Sequence, residues 1–129
     1  MANATNFLEK TLLNGVLKGE AVTFSTPYIG LMAVAPNDSG GGDEISAASY
    51  SRKAVANTDF QVTDEGAASN TVDFVFDPAE EAWGTVTSIA LFDSATGGNM
   101  LIYTTITSTT IDTGDILKIP AGGFTVNMD

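Results

Sequence analysis

The chain has 129 residues, 43% of them hydrophobic, with sixteen acidic residues against five basic ones, and it contains neither cysteine nor histidine. That length and apolar fraction exclude wholesale disorder and are enough for one domain, 1–129, with a continuous core. The net charge of −11 repels phosphate backbones and argues against nucleic acid as a partner. Missing cysteines remove disulfides and thiolate sites, and no run of about 18 apolar residues offers a membrane span.

In chain order, the first predicted element is a helix within an N-terminal arm, residues 1–19. Asn6-Phe7-Leu8-Glu9 resembles a capping box with Asn6 as the cap. Leu8, Leu12 and Val16 follow at i, i+4 and i+8, with Leu13 and Leu17 extending the stripe, as one face of a helix requires. Lys18 suits the helix dipole and Gly19 supplies a stop. Gly15 weakens the middle by about 1 kcal/mol relative to alanine, so the helix depends on tertiary contacts. Its face can cover the domain's own sheet or dock on a neighbouring subunit.

After Pro27 the texture turns to β. Tyr28–Val34 is nearly continuous apolar, the pattern of a strand covered on both faces. Residues 36–44, PNDSGGGDE, read as a flexible acidic loop. Further strands are expected at Tyr50–Ala56, Phe60–Thr63 and Thr71–Phe76, the last with Val72, Phe74 and Phe76 on one side. Thr85–Phe92 and Met100–Thr107 form a hairpin around Asp93–Asn99, where Gly97 and Gly98 supply the positive φ of the reversal. Ile111–Ile116 is a second reversal, followed by strands at Leu117–Ile119 and Phe124–Met128. The fold class is therefore mainly β: an antiparallel, jelly-roll-like β-sandwich over 20–129, with one N-terminal α-helix.

Chemistry is harder to assemble. The absence of histidine removes the commonest general base and metal ligand, and no serine lies in a nucleophile elbow. Asp77, Glu80 and Glu81 are clustered acids on what reads as a solvated connection rather than a glycosidase pair. Asp38, Asp43 and Glu44 offer hard oxygens, but without the EF-hand spacing, so no metal or cofactor is assigned. Trp83 is expected to close one end of the core, with carbohydrate stacking or a subunit contact as lesser alternatives. Arg52 and Lys53, the one adjacent basic pair, can be plain strand-end residues or can meet acids of a neighbouring copy. No enzyme is expected.

The ordered set NFLEK and LLN from Asn6, PYIGL from Pro27, GGDEIS from Gly41, YSRKA from Tyr50, WGTVT from Trp83, Phe92-Asp93, GGN from Gly97, and the terminal Gly114-Asp115, Ala121-Gly122 and Thr125-Val126 resembles a family of small virion structural proteins of tailed bacteriophages. The resemblance covers nearly the full length and departs at the lack of a histidine after Val86-Thr87. It implies a non-enzymatic virion component assembled in the host cytoplasm. The leading expectation is a capsid decoration (cement) protein bound to the major capsid protein, a homo-oligomer with a trimer favoured, touching neither nucleic acid nor membrane. The alternative is a tail-associated collar, baseplate or fibre module that binds glycans through exposed Trp83 or tyrosines. Contacts are expected from the helix face (Phe7, Leu8, Leu12 and Val16) and from Arg52 and Lys53.

Overall fold

The computed structural model describes residues 2–128. In order the elements are β1 (Asn3–Ala4), α1 (Asn6–Lys18), β2 (Tyr28–Val34), β3 (Asp43–Glu44), β4 (Lys53–Ala54), β5 (Phe60–Val62), β6 (Ala67–Asn70), β7 (Phe74–Val75), β8 (Gly84–Phe92), β9 (Met100–Ile111), β10 (Lys118–Ile119) and β11 (Thr125–Asn127). The mainly β, sandwich-like architecture with one helix is the one the alternation of apolar residues predicts.

The main sheet runs β1-β9-β8-β2-β3, with β4 also on β2. Its centre is the predicted hairpin: β8 and β9 pair antiparallel from Gly84↔Ile111 to Phe92↔Met100, and β2 adds to β8 from Tyr28↔Phe92 to Met32↔Ser88. Successive side chains of a strand point to opposite faces. One face therefore carries Ile29, Leu31 and Ile89 into the larger core, where they join Trp83 at the start of β8 and Phe74, Phe76, Ile119 and Phe124 from in or beside the strands of the smaller sheets. Those sheets are β11-β6-β5 and the pair β10-β7, with Phe60 edge-on to Phe124, ring centroids 5.8 Å apart. The other face carries Met32, Ala90, Phe92 and Met100.

Gly30 lies between these last residues for a steric reason. A Cβ there would come within 2.7 Å of the Phe92 ring and 2.8 Å of the Glu44 carboxylate, so only glycine lets both lie flat on the sheet.

Several expectations change. The helix cap is Thr5, not Asn6: the Thr5 Oγ1 accepts from Leu8 N and also donates to the Met100 carbonyl at 2.7 Å. Residues 36–44 are not a free loop. Asp43–Glu44 pair with β2, Asn6 N donates to the Asp38 carbonyl at 2.8 Å, and the Tyr103 hydroxyl donates to the Asp38 carboxylate. Of the strand expected at Tyr50–Ala56 only β4 is regular, and β6 forms where no strand was expected. Val72 faces out while Phe74 and Phe76 are buried, because regular pairing begins only at Phe74.

Candidate functional site

Two features stand out, the N-terminal arm and the pinned tip of the central hairpin. The arm starts on the sheet edge. β1 pairs with β9 at Asn3↔Tyr103 and Ala4↔Ile102, and Ala2 bridges in parallel to Val126 of β11. Thr5, almost fully buried, adds a backbone bond to the Leu101 carbonyl at 2.9 Å. Leu8 then enters an apolar recess with Phe24, Leu91, Leu101 and Ile102. Toward its C-terminal end the helix becomes more exposed. Leu13, Val16 and Leu17 are 57%, 80% and 76% exposed, and the neighbour of Gly15 is Val22 of the chain's own return segment.

Of the residues expected to make contacts, Phe7 and Val16 are exposed and Leu12 is half-buried, while Leu8 serves as the anchor to the chain's own sheet. Leu17 is nearly as exposed as Val16, and Leu13 is more than half exposed. The sequence places all of them on one stripe, because helical spacing reports a shared face without saying where the body ends.

Arg52 is committed inside the chain. Its Nε and Nη2 donate to the two Glu44 oxygens at 2.9 Å each, its Nη1 donates to the carbonyls of Ser94 at 2.7 Å and Gly97 at 2.9 Å, and its Cζ lies 3.6 Å from the centroid of the Phe92 ring. A fork with this many partners has little left for a neighbour. Lys53 remains exposed. The Tyr50 hydroxyl joins the network, accepting from Leu31 N at 2.9 Å and donating to Glu44 at 2.6 Å.

Burial raises the Glu44 carboxyl, but the hydrogen bonds from Arg52 and Tyr50 and the Arg52 charge outweigh it and hold the group below its ordinary value. Burial and Glu44 push the Tyr50 hydroxyl far above its own. Within the tip, Asp93 accepts from Asn99 N at 2.7 Å and Asn99 Nδ2 at 3.0 Å. Those bonds hold its carboxyl below the ordinary range. A Cβ on Gly98, which has φ +71°, would collide with Asp93 and Ser94.

Several of the acids are engaged within the chain. Glu81 accepts from Ser49 N and Oγ at 2.7 and 2.9 Å, and Glu44 and Asp38 are engaged as described. Among the described residues no three acids come together as a metal site. Trp83 is 6% exposed, donates from Nε1 to Ser49 Oγ at 2.9 Å and stands edge-on to Tyr50. It closes the core, as expected, and is therefore not an exposed glycan platform. A groove of about 460 Å³ beside β9 is lined mainly by Ile89, Ile106, Ile116, Leu117 and Ile119, with Lys118 at hand. Thr107 and Thr109 complete its polar lining beside Lys118.

A β-rich framework, a helix with exposed apolar residues and a hydrogen-bonded hairpin tip are the features of a protein that presents surfaces for assembly. The family model described as Podophage GP4 fiber I protein gp80 matches residues 3–127, and the chain belongs to that family. It is a tailed-phage virion structural protein of the fibre, tail-associated kind. No curated protein matches the chain. No helix of the described residues is long and apolar enough to cross a membrane.

Proposed function

We propose that the chain is a non-enzymatic subunit of a tail fibre, that it folds as one domain, and that its N-terminal arm is the attachment element while the β-layers are presented outward. The observation that carries this reading is the run of exposed Leu13, Val16 and Leu17 on the last two turns of the helix. Exposed apolar clusters of this kind mark protein contacts. The arm is also where an acidic molecule can be approached most easily. Residues 1–37 balance Glu9 and Glu20 with Lys10 and Lys18, whereas residues 38–81 hold ten acids against Arg52 and Lys53. The family match supports a fibre over the head-decoration role that the sequence put first.

Complementation of phage lacking the gene tests the reading. A Leu13→Glu/Val16→Glu/Leu17→Glu protein is expected to keep its β-rich circular dichroism spectrum and to be missing from purified virions. Gold-labelled antibody against the wild-type protein is expected to mark tails. Normal incorporation of the triple variant would refute the arm as the attachment element, and label spread over heads would refute the fibre assignment.

A further inference from the structure

We propose that residues 2–18 are exchanged between copies of this chain, so that β1 and α1 of one copy sit on the body of a second. The inference deepens the fibre reading above and rests on it, because it identifies what the arm holds on to.

The arm's firmest hold on the body is at its first residues. It consists of the two β1–β9 pairs, the Ala2 bridge, the Thr5 bonds to Met100 and Leu101, the Asn6–Asp38 bond and the Leu8 side chain. Phe24 of the Leu8 recess lies on the connection itself. Any copy's body offers the same β9, β11, Asp38, Leu91, Leu101 and Ile102 partners, so an arm from a neighbour can take the same place as the chain's own. Such exchange is a low-cost route to assembly because no new interface has to be invented.

The connection permits it. The chain reverses at Gly19, φ +68°, with open space where a Cβ would stand. The reversal is closed by the Gly19 and Glu20 N–H groups on the Asn14 carbonyl, the second at a long 3.3 Å. From Glu20 to Thr26 the chain is exposed and in neither helix nor strand. Opened out, these seven residues span about 24 Å, enough to pass from one body to its neighbour.

The bare patch lies at the end where exchange would use it. Leu13, Val16 and Leu17 belong to the last two turns, next to the Gly19 hinge. In the closed chain more than half of each side chain stays exposed. Exchange would bring the arms of two copies close at this hinge, where these patches are available to cover one another. The local charge balance of Glu9 and Glu20 with Lys10 and Lys18 lets two copies approach at this place despite a net −11 each.

The test uses the absence of native cysteine. Ala4 and Ile102 are opposed across β1 and β9, so Ala4→Cys/Ile102→Cys places one new thiol on the arm and one on the body. Full-length protein is oxidised, its free thiols are counted, and it is run on a non-reducing gel beside light scattering of the same sample. Exchange predicts covalent multimers that reductant dissolves: dimers for reciprocal exchange, a closed larger species for exchange around a ring. An oligomer by light scattering that runs entirely as monomer with its thiols consumed overturns the exchange and leaves the fibre reading intact. A solution monomer with an internal disulfide also overturns it and leaves the arm to a different virion protein, which the incorporation assay above reads separately. Thiols that stay free, both here and in Asn3→Cys/Tyr103→Cys, mean that β1 is not on β9 of any copy and overturn it too.

Discussion

Replacing Arg52 by alanine would remove the cation that holds three separate parts of the chain together. The Arg52 side chain is 7% exposed and that of Glu44 25%. Breaking a fully buried ion pair costs about 3–5 kcal/mol, most of it from stranding the remaining charge. Glu44 keeps a quarter of its surface in water and the hydrogen bond from Tyr50, which places the cost at or below the low end of that range. Loss of the cation–π contact with Phe92 adds about 0.5–1 kcal/mol. The Ser94 and Gly97 carbonyls add little, since both lie near solvent. The expected loss is about 3 kcal/mol, or a fall in Tm of roughly 10 °C for a domain of this size. Urea unfolding of Arg52→Ala, Glu44→Gln and the double variant checks it, with a coupling energy above about 1 kcal/mol expected between the two positions. A loss below about 1 kcal/mol, the range of an exposed pair, or no coupling, would refute the idea that Arg52 locks the tip.

The Glu44 carboxyl is held below its ordinary value of 4.5, so its contribution is fully present above that pH and is lost as pH falls through the lower folded value. Unfolding midpoints measured between pH 7 and pH 3 should therefore fall at the acid end, and less steeply in Glu44→Gln. Thr5→Ala removes a cap and two bonds to β9 and is expected to cost about 1–2 kcal/mol, read from denaturant midpoints with matched m-values. Ser88 Oγ is buried with no hydrogen-bond partner among the described residues, so Ser88→Ala is expected to stabilise by about 1 kcal/mol, seen as a higher midpoint. Trp83 fluorescence should be blue-shifted, poorly quenched by acrylamide and unchanged by glycans; a saccharide-dependent shift would contradict its burial.

What could be read from the sequence was what local pattern controls. The hairpin of β8 and β9 was legible because two β-branched runs flank Gly97 and Gly98, and the helix because Leu8, Leu12 and Val16 repeat at helical spacing. Features set by distant partners were hidden. Thr5 caps α1 because β1 docks on β9 and brings it to the carbonyls of Met100 and Leu101, some 95 positions away. Ala67–Asn70 has poor strand propensity and is a strand because β5 and β11 flank it. Arg52 looked like a free surface cation because its Ser94 and Gly97 partners lie 42 and 45 positions on. Asp43 and Glu44 sit in a glycine-rich stretch that composition marks as loose, yet β2 holds them. The exposed arm was half legible: spacing identified the stripe, while the place where the helix becomes exposed depends on the position of the Leu8 recess.

The central claim is that this protein is a fibre component rather than a head covering, and copy number tests it most directly. Quantitative mass spectrometry of purified virions should give a ratio of this chain to the major capsid protein far below one. A ratio near one would contradict the account and return the chain to the capsid surface.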